Sequence, residues 1–244
     1  MDTENMKTSN ILIAGILCVA TSGCSFLDYT HVRYKTDPEL AMYKGSPHGE
    51  MEKLYKAYIE ETIEKYGSRE RASAIAAQDG WTHISTPLPE DKYILNADVD
   101  LAMRSFNGAW LLWENNYEAY WGFGVCASIR GYPDEARKYF DGAVGLNPNN
   151  ANLLLNAAQN YTILGAKGDV QTLDKAIALY NKALNLAPDD SVKKDAYSNW
   201  AFTLYYKGDY ASAWDKVKLA EQAGWKCPEH DFLEALSKQM PRPK

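Results

Sequence analysis

The sequence predicts an all-α fold built from repeated helix hairpins, and three observations predict it. First, residues 134–150 (DEARKYFDGAVGLNPNN) and 174–190 (DKAIALYNKALNLAPDD) place Ala, an aromatic, Ala and Pro at the same offsets: Ala136, Phe140, Ala143 and Pro148, then Ala176, Tyr180, Ala183 and Pro188. Steps of four and three put the first three on one helix face, and the Pro marks a stop. Second, the ladder occurs again at Ala102, Phe106 and Ala109 and at Ala213, Val217 and Ala220, so successive copies lie 34, 40 and 37 residues apart (102 to 136, 176 and 213). Third, another helical stripe precedes each of the last three copies, with Gly131, Gly165 or Gly208 at the bend. One hairpin used several times explains all three.

Along the chain, the first element is an apolar run without charge, residues 11–20 (ILIAGILCVA). Ten residues are too few to span a bilayer but fit the core of a signal peptide. Asp2 and Glu4 oppose the usual basic start, whereas a start at Met6 leaves Lys7 ahead of the run; both starts stay open. The run ends in Thr21, Ser22, Gly23 and Cys24, which resembles the bacterial lipobox, although Leu is usual where Thr21 stands. That resemblance implies a signal peptide over residues 1–23, lipidation of Cys24 and, with Ser25 next, anchoring in the outer membrane of a Gram-negative bacterium without a spanning helix. The anchored domain is expected to face the periplasm, with the cell exterior still open. Residues 24–48 carry Pro38, Gly45 and Pro47 without a clear period and read as a tether.

A helical domain is expected over residues 49–240. Met51, Leu54, Tyr55, Tyr58, Ile59, Thr62, Ile63 and Tyr66 mark the apolar face of its first helix, closed by Gly67. Ser68 opens the next helix, to about Trp81. Residues 85–96 hold two prolines and read as a loop, with Asp98 placed to cap the helix after it. At the far end Phe232, Leu233, Leu236 and Met240 form a stripe suited to covering the open end of a stack.

The hairpin pattern resembles the tetratricopeptide repeat. In residues 117–150 it is carried by Tyr120, Phe123, Gly124, Ala127, Gly131, Ala136, Phe140, Ala143 and Pro148. Residues 151–190 carry it at Leu154, Ala157, Ala158, Tyr161, Gly165, Ala176, Tyr180, Ala183 and Pro188, and residues 194–227 at Tyr197, Trp200, Ala201, Leu204, Gly208, Ala213 and Ala220. Residues 72–116 are a degenerate copy and 229–240 a capping helix. The resemblance implies a right-handed superhelical solenoid whose first helices line a concave groove. Groove positions would include Glu118, Trp121, Val125, Ser128 and Ile129, then Asn152, Leu155, Asn156, Gln159 and Thr162, then Asp195, Ser198, Asn199, Phe202, Tyr205 and Tyr206. Trp121, Asn152, Asn156, Gln159, Ser198, Asn199, Phe202 and Tyr205 are the candidate partner contacts. Amides donate and accept toward a peptide backbone, and aromatics supply anchoring area.

Other chemistries find little support. The formal charge of −6 argues against a nucleic-acid partner. Clamping of an acidic peptide tail needs several basic groove positions, and Trp121, Asn152, Asp195 and Asn199 stand where they would be. His31, His48, His83 and His230 lack metal-ligand spacing, and Cys227 with His230 is half of a zinc motif. Asp100 lacks a calcium-loop ladder, GAKGD (165–169) lacks the phosphate-loop spacing, and no nucleophile elbow occurs. Of four cysteines, Cys18 would leave with the signal and Cys24 would be acylated; Cys126 reads as a small buried hydrophobe rather than a partner for Cys227. The expectation is a non-catalytic, lipid-anchored periplasmic scaffold without cofactor or metal, binding a protein or peptide during envelope assembly or secretion. Glycan capture on aromatic platforms is the alternative, and burial of Trp110, Trp121 and Trp200 would count against it.

Overall fold

A computed structural model describes residues 50–85, 97–187, 189–226 and 230–243. Cys24, the signal and tether segments, the loop prolines, Pro188 and Cys227 lie outside the described residues, as does the side chain of His230. All regular structure among the described residues is α-helical. The helices are α1 (Glu50–Tyr66), α2 (Arg69–Ser85), α3 (Ala97–Leu112), α4 (Tyr117–Ile129), α5 (Pro133–Leu146), α6 (Ala151–Gly165), α7 (Val170–Leu186), α8 (Asp190–Lys207), α9 (Tyr210–Gln222) and α10 (His230–Gln239).

Local chemistry sets the helix starts. Asn116, Asn150, Asp169, Asp189 and Asp209 each accept a backbone N–H of the following first turn through a side-chain oxygen, satisfying donors that the helix itself leaves unpaired. Pro133 opens α5, where its missing N–H costs nothing. Asp98 is not a cap, because α3 already begins at Ala97 and takes it into the first turn.

The bends correct one expectation. Gly131 and Gly208 do turn the chain, at φ +78° and +82°, where a side chain would be strained. Gly165 is instead the last residue of α6, and the left-handed turn falls at Gly168, φ +105°. What Gly165 provides is closeness: a Cβ there would sit 2.7 Å from the Leu173 side chain.

Helices pair as α2/α3, α4/α5, α6/α7 and α8/α9, and each pair packs on the next. The ladder residues form these seams. Ala102, Phe106, Ala109, Ala136, Phe140, Ala143, Ala176, Tyr180, Ala183, Ala213, Val217 and Ala220 are all fully buried. At the C-terminal end Phe232 and Leu236 of α10 are buried against the last pair, with Phe232 lying 3.9 Å from Phe202, centroid to centroid. Successive first helices also pack directly, α2 on α4, α4 on α6 and α6 on α8, whereas among the described residues no comparable packing joins one second helix to the next. The array therefore bends with its first helices on the inner side.

Candidate functional site

The inner side is built from α4, α6 and α8. Residues spaced three and four apart on these helices share one face, and that face holds the groove positions expected from sequence. Their burial is deep. Positions 121–128 of α4 and 153–160 of α6 are buried without interruption, which for an α-helix means burial around the full circumference.

Trp121 is the junction. Its indole N–H donates to Asn156 Oδ1 at 2.8 Å, joining α4 to α6. On its other side its ring meets Trp81 of α2 edge-on, centroids 4.8 Å apart, and Trp81 meets Phe106 at 5.0 Å. Two of the candidate contacts thus satisfy each other. Asn199 and Ser198 are buried in α8, where both donate to the Asp195 carbonyl, at 2.7 and 3.2 Å. Thr162 shares a 2.7 Å hydrogen bond with Thr203 across α6 and α8, beneath the Tyr180 hydroxyl at 3.3 Å. Phe202 is buried under α10. Asn152 and Tyr205 stay half-buried, Tyr205 against the rings of Tyr206, Tyr210 and Phe232.

Gln159 is buried with no partner for Oε1, and Ser128 Oγ on α4 is likewise unpaired. Orphaned polar atoms are uncommon in interiors. Glu118, half-buried at the start of α4, accepts a 3.1 Å hydrogen bond from the Tyr117 hydroxyl. Burial holds its carboxyl above the usual glutamate range. Burial, and then the Glu118 charge, push the Tyr117 phenol up to about 12.

Elsewhere Cys126 is a free, buried thiol pushed up to about 12 by burial, a state in which it is a poor nucleophile. Among the described residues no three His, Cys, Asp or Glu side chains group as a metal site, and no helix is long and apolar enough to cross a membrane. Glu118 belongs to the groove face, but sequence spacing alone gave no reason to single it out; its signal is a carboxylate placed where helix meets helix.

Stacked antiparallel hairpins wedged by small and aromatic residues define a helical-repeat scaffold. Residues 117–150 match the tetratricopeptide repeat family, so the α4/α5 hairpin is such a repeat and the chain carries at least this one. No curated protein matches the chain. Repeats of this kind generally mediate binding between proteins, and the fold is typically non-catalytic.

Proposed function

We propose that the chain is a non-catalytic scaffold that binds a protein or peptide along the inner face of α4, α6 and α8. The observation that carries this reading is the direct packing of successive first helices, tied by the Trp121–Asn156 bond, which leaves Glu118, Asn152 and Tyr205 half-buried at the ends of those helices. The buried residues Trp121, Asn156, Gln159, Ser198, Asn199 and Phe202 form the floor of the inner face, and the half-buried ones meet the partner. The lipobox-like Cys24 supports lipid anchoring in an outer membrane, with the domain on the periplasmic side and a role in envelope assembly or secretion.

Co-purification from detergent-solubilised envelope tests this. A partner captured by the wild type should be lost with Asn152→Ala combined with Tyr205→Ala and kept with Lys182→Ala on the exposed surface of α7. Equal capture by all three would remove the groove from the account. Palmitate labelling of wild type and Cys24→Ala tests the anchor, which fails if labelling persists. Sugar platforms fit less well, because Trp121 is buried, Trp110 donates to the Tyr120 hydroxyl, and Trp200 lies against Tyr180 and beneath Lys216.

A further inference from the structure

Glu118 is the one groove-face carboxylate among the described residues that is partly withdrawn from water with no Lys or Arg against it. Its oxygens receive the Tyr117 hydroxyl and, among those residues, no Lys or Arg. A carboxylate in that state is costly to hold ionised, and its raised pKa reports the same cost. At the equivalent repeat position on α8, more than a turn inside that helix, stands Asp195, half-buried and 3.6 Å from Lys194. Asn152 holds the same repeat position on α6, so equivalent positions of the three first helices carry acid, amide and acid. Further along α6, Gln159 Oε1 is a buried acceptor without a donor; Asn152, Asn156 and Gln159 share one helix face at steps of four and three.

We propose, resting on the groove reading above, that the partner presents an extended segment whose Lys or Arg side chain seats on Glu118 while its backbone runs on past the half-buried Asn152. A cation there restores the interaction Glu118 lost with water, and charge-assisted hydrogen bonds to a partly buried carboxylate are the stronger kind. A chain of net charge −6 adds attraction for a basic segment at long range. The geometry selects against the acidic tails that basic grooves clamp, since like charges would meet at both Glu118 and Asp195.

The test is selection from a random peptide library displayed on phage against the immobilised full chain, repeated on Glu118→Gln. The amide keeps an acceptor for Tyr117, and circular dichroism verifies the fold. Peptides enriched on the wild type should share Lys or Arg at one position. The labelled peptide should bind Glu118→Gln about tenfold more weakly, as expected for loss of one partly buried charge pair. Replacing its basic residue by norleucine should cost a similar factor with the wild type and nothing with Glu118→Gln.

Enrichment without a shared basic position, or equal affinity for Glu118→Gln, overturns this proposal while leaving the groove reading intact. Enriched peptides that bind Asn152→Ala with Tyr205→Ala as well as wild type overturn the groove reading, as does failure to enrich any peptide. Self-association lost in Glu118→Gln on sedimentation would put a second copy of the chain on this face and overturn the peptide assignment.

Discussion

The indole of Trp121 and the side-chain amide of Asn156, 35 positions apart in the chain, are joined by a 2.8 Å hydrogen bond that ties one hairpin's first helix to the next. Both residues are buried, at 5% and 1% exposure. The bond satisfies polar atoms that water cannot reach, so it fixes the register of α6 on α4 more than it adds gross stability. Removing one partner should therefore hurt more than removing both. Asn156→Ala should lower stability by about 1–3 kcal/mol by stranding the indole N–H. A double-mutant cycle with Trp121→Phe and Asn156→Leu, followed by urea unfolding, should return a coupling of about 1 kcal/mol. Additive effects would mean the pair is not bonded in solution.

Phe140 fills the seam beneath Gly124 and is fully buried, whereas Leu146 at the end of the same helix is 43% exposed. Phe140→Ala should cost about 3–5 kcal/mol in urea unfolding. Leu146→Ala should stay within about 0.5 kcal/mol. Similar losses for the two would deny that the aromatic wedges the hairpins.

Two glycines in neighbouring helices should respond oppositely to one methyl group. A Cβ on Gly124 would lie 2.8 Å from the Phe140 ring, while one on Gly145 would meet nothing within 4 Å. Gly124→Ala should destabilise by about 1–3 kcal/mol through overpacking. Gly145→Ala should stabilise by up to about 1 kcal/mol, the helix preference for Ala over Gly. Thermal melts of the two variants separate close approach from backbone preference.

Burial raises the Glu118 carboxyl above its unfolded value, so in the window between the two the native chain holds a proton that the unfolded chain has released. That contribution to stability is complete below the ordinary glutamate range and is lost as pH rises through the raised value. Glu118→Gln should accordingly be more stable than wild type near about pH 7 and converge with it near about pH 3. Urea unfolding at both pH values measures the crossing; a constant difference would show that burial does not perturb this carboxyl.

Much of the fold was legible because the repeat writes itself into spacing. The Ala136, Phe140 and Ala143 ladder and its copies at Ala102 and Ala176 are completely buried, as a shared helix face requires. Gly131 and Gly208 take the positive φ expected at bends. Gly165 misled because alignment to its relatives fixes its place in the repeat but not its role; close packing on Leu173 and a left-handed turn both demand Gly, and an inserted turn moved the second to Gly168. Asp98 misled because a good cap residue is also tolerated in a first turn, where it favours the helix dipole.

The groove was only half readable. Helical spacing shows that Asn152, Asn156 and Gln159 share a face, and the structure agrees. Spacing does not say how closely successive first helices approach, and that distance decides which side chains are floor and which are surface. Asn156 pairs inward with Trp121, and Asn199 turns back to the Asp195 carbonyl. The carboxylate of Glu118 stands out only when neighbouring helices have been placed and, among the described residues, no cation is found beside it.

The most direct measurement is a crystal structure of the chain with a peptide enriched against it. An extended segment should cross α4, α6 and α8 on their inner side, with a basic side chain at Glu118 and contacts to Asn152 and Tyr205. A peptide seated instead on the second helices, or in the hollow between Tyr132, Glu135 and Lys138, would contradict it.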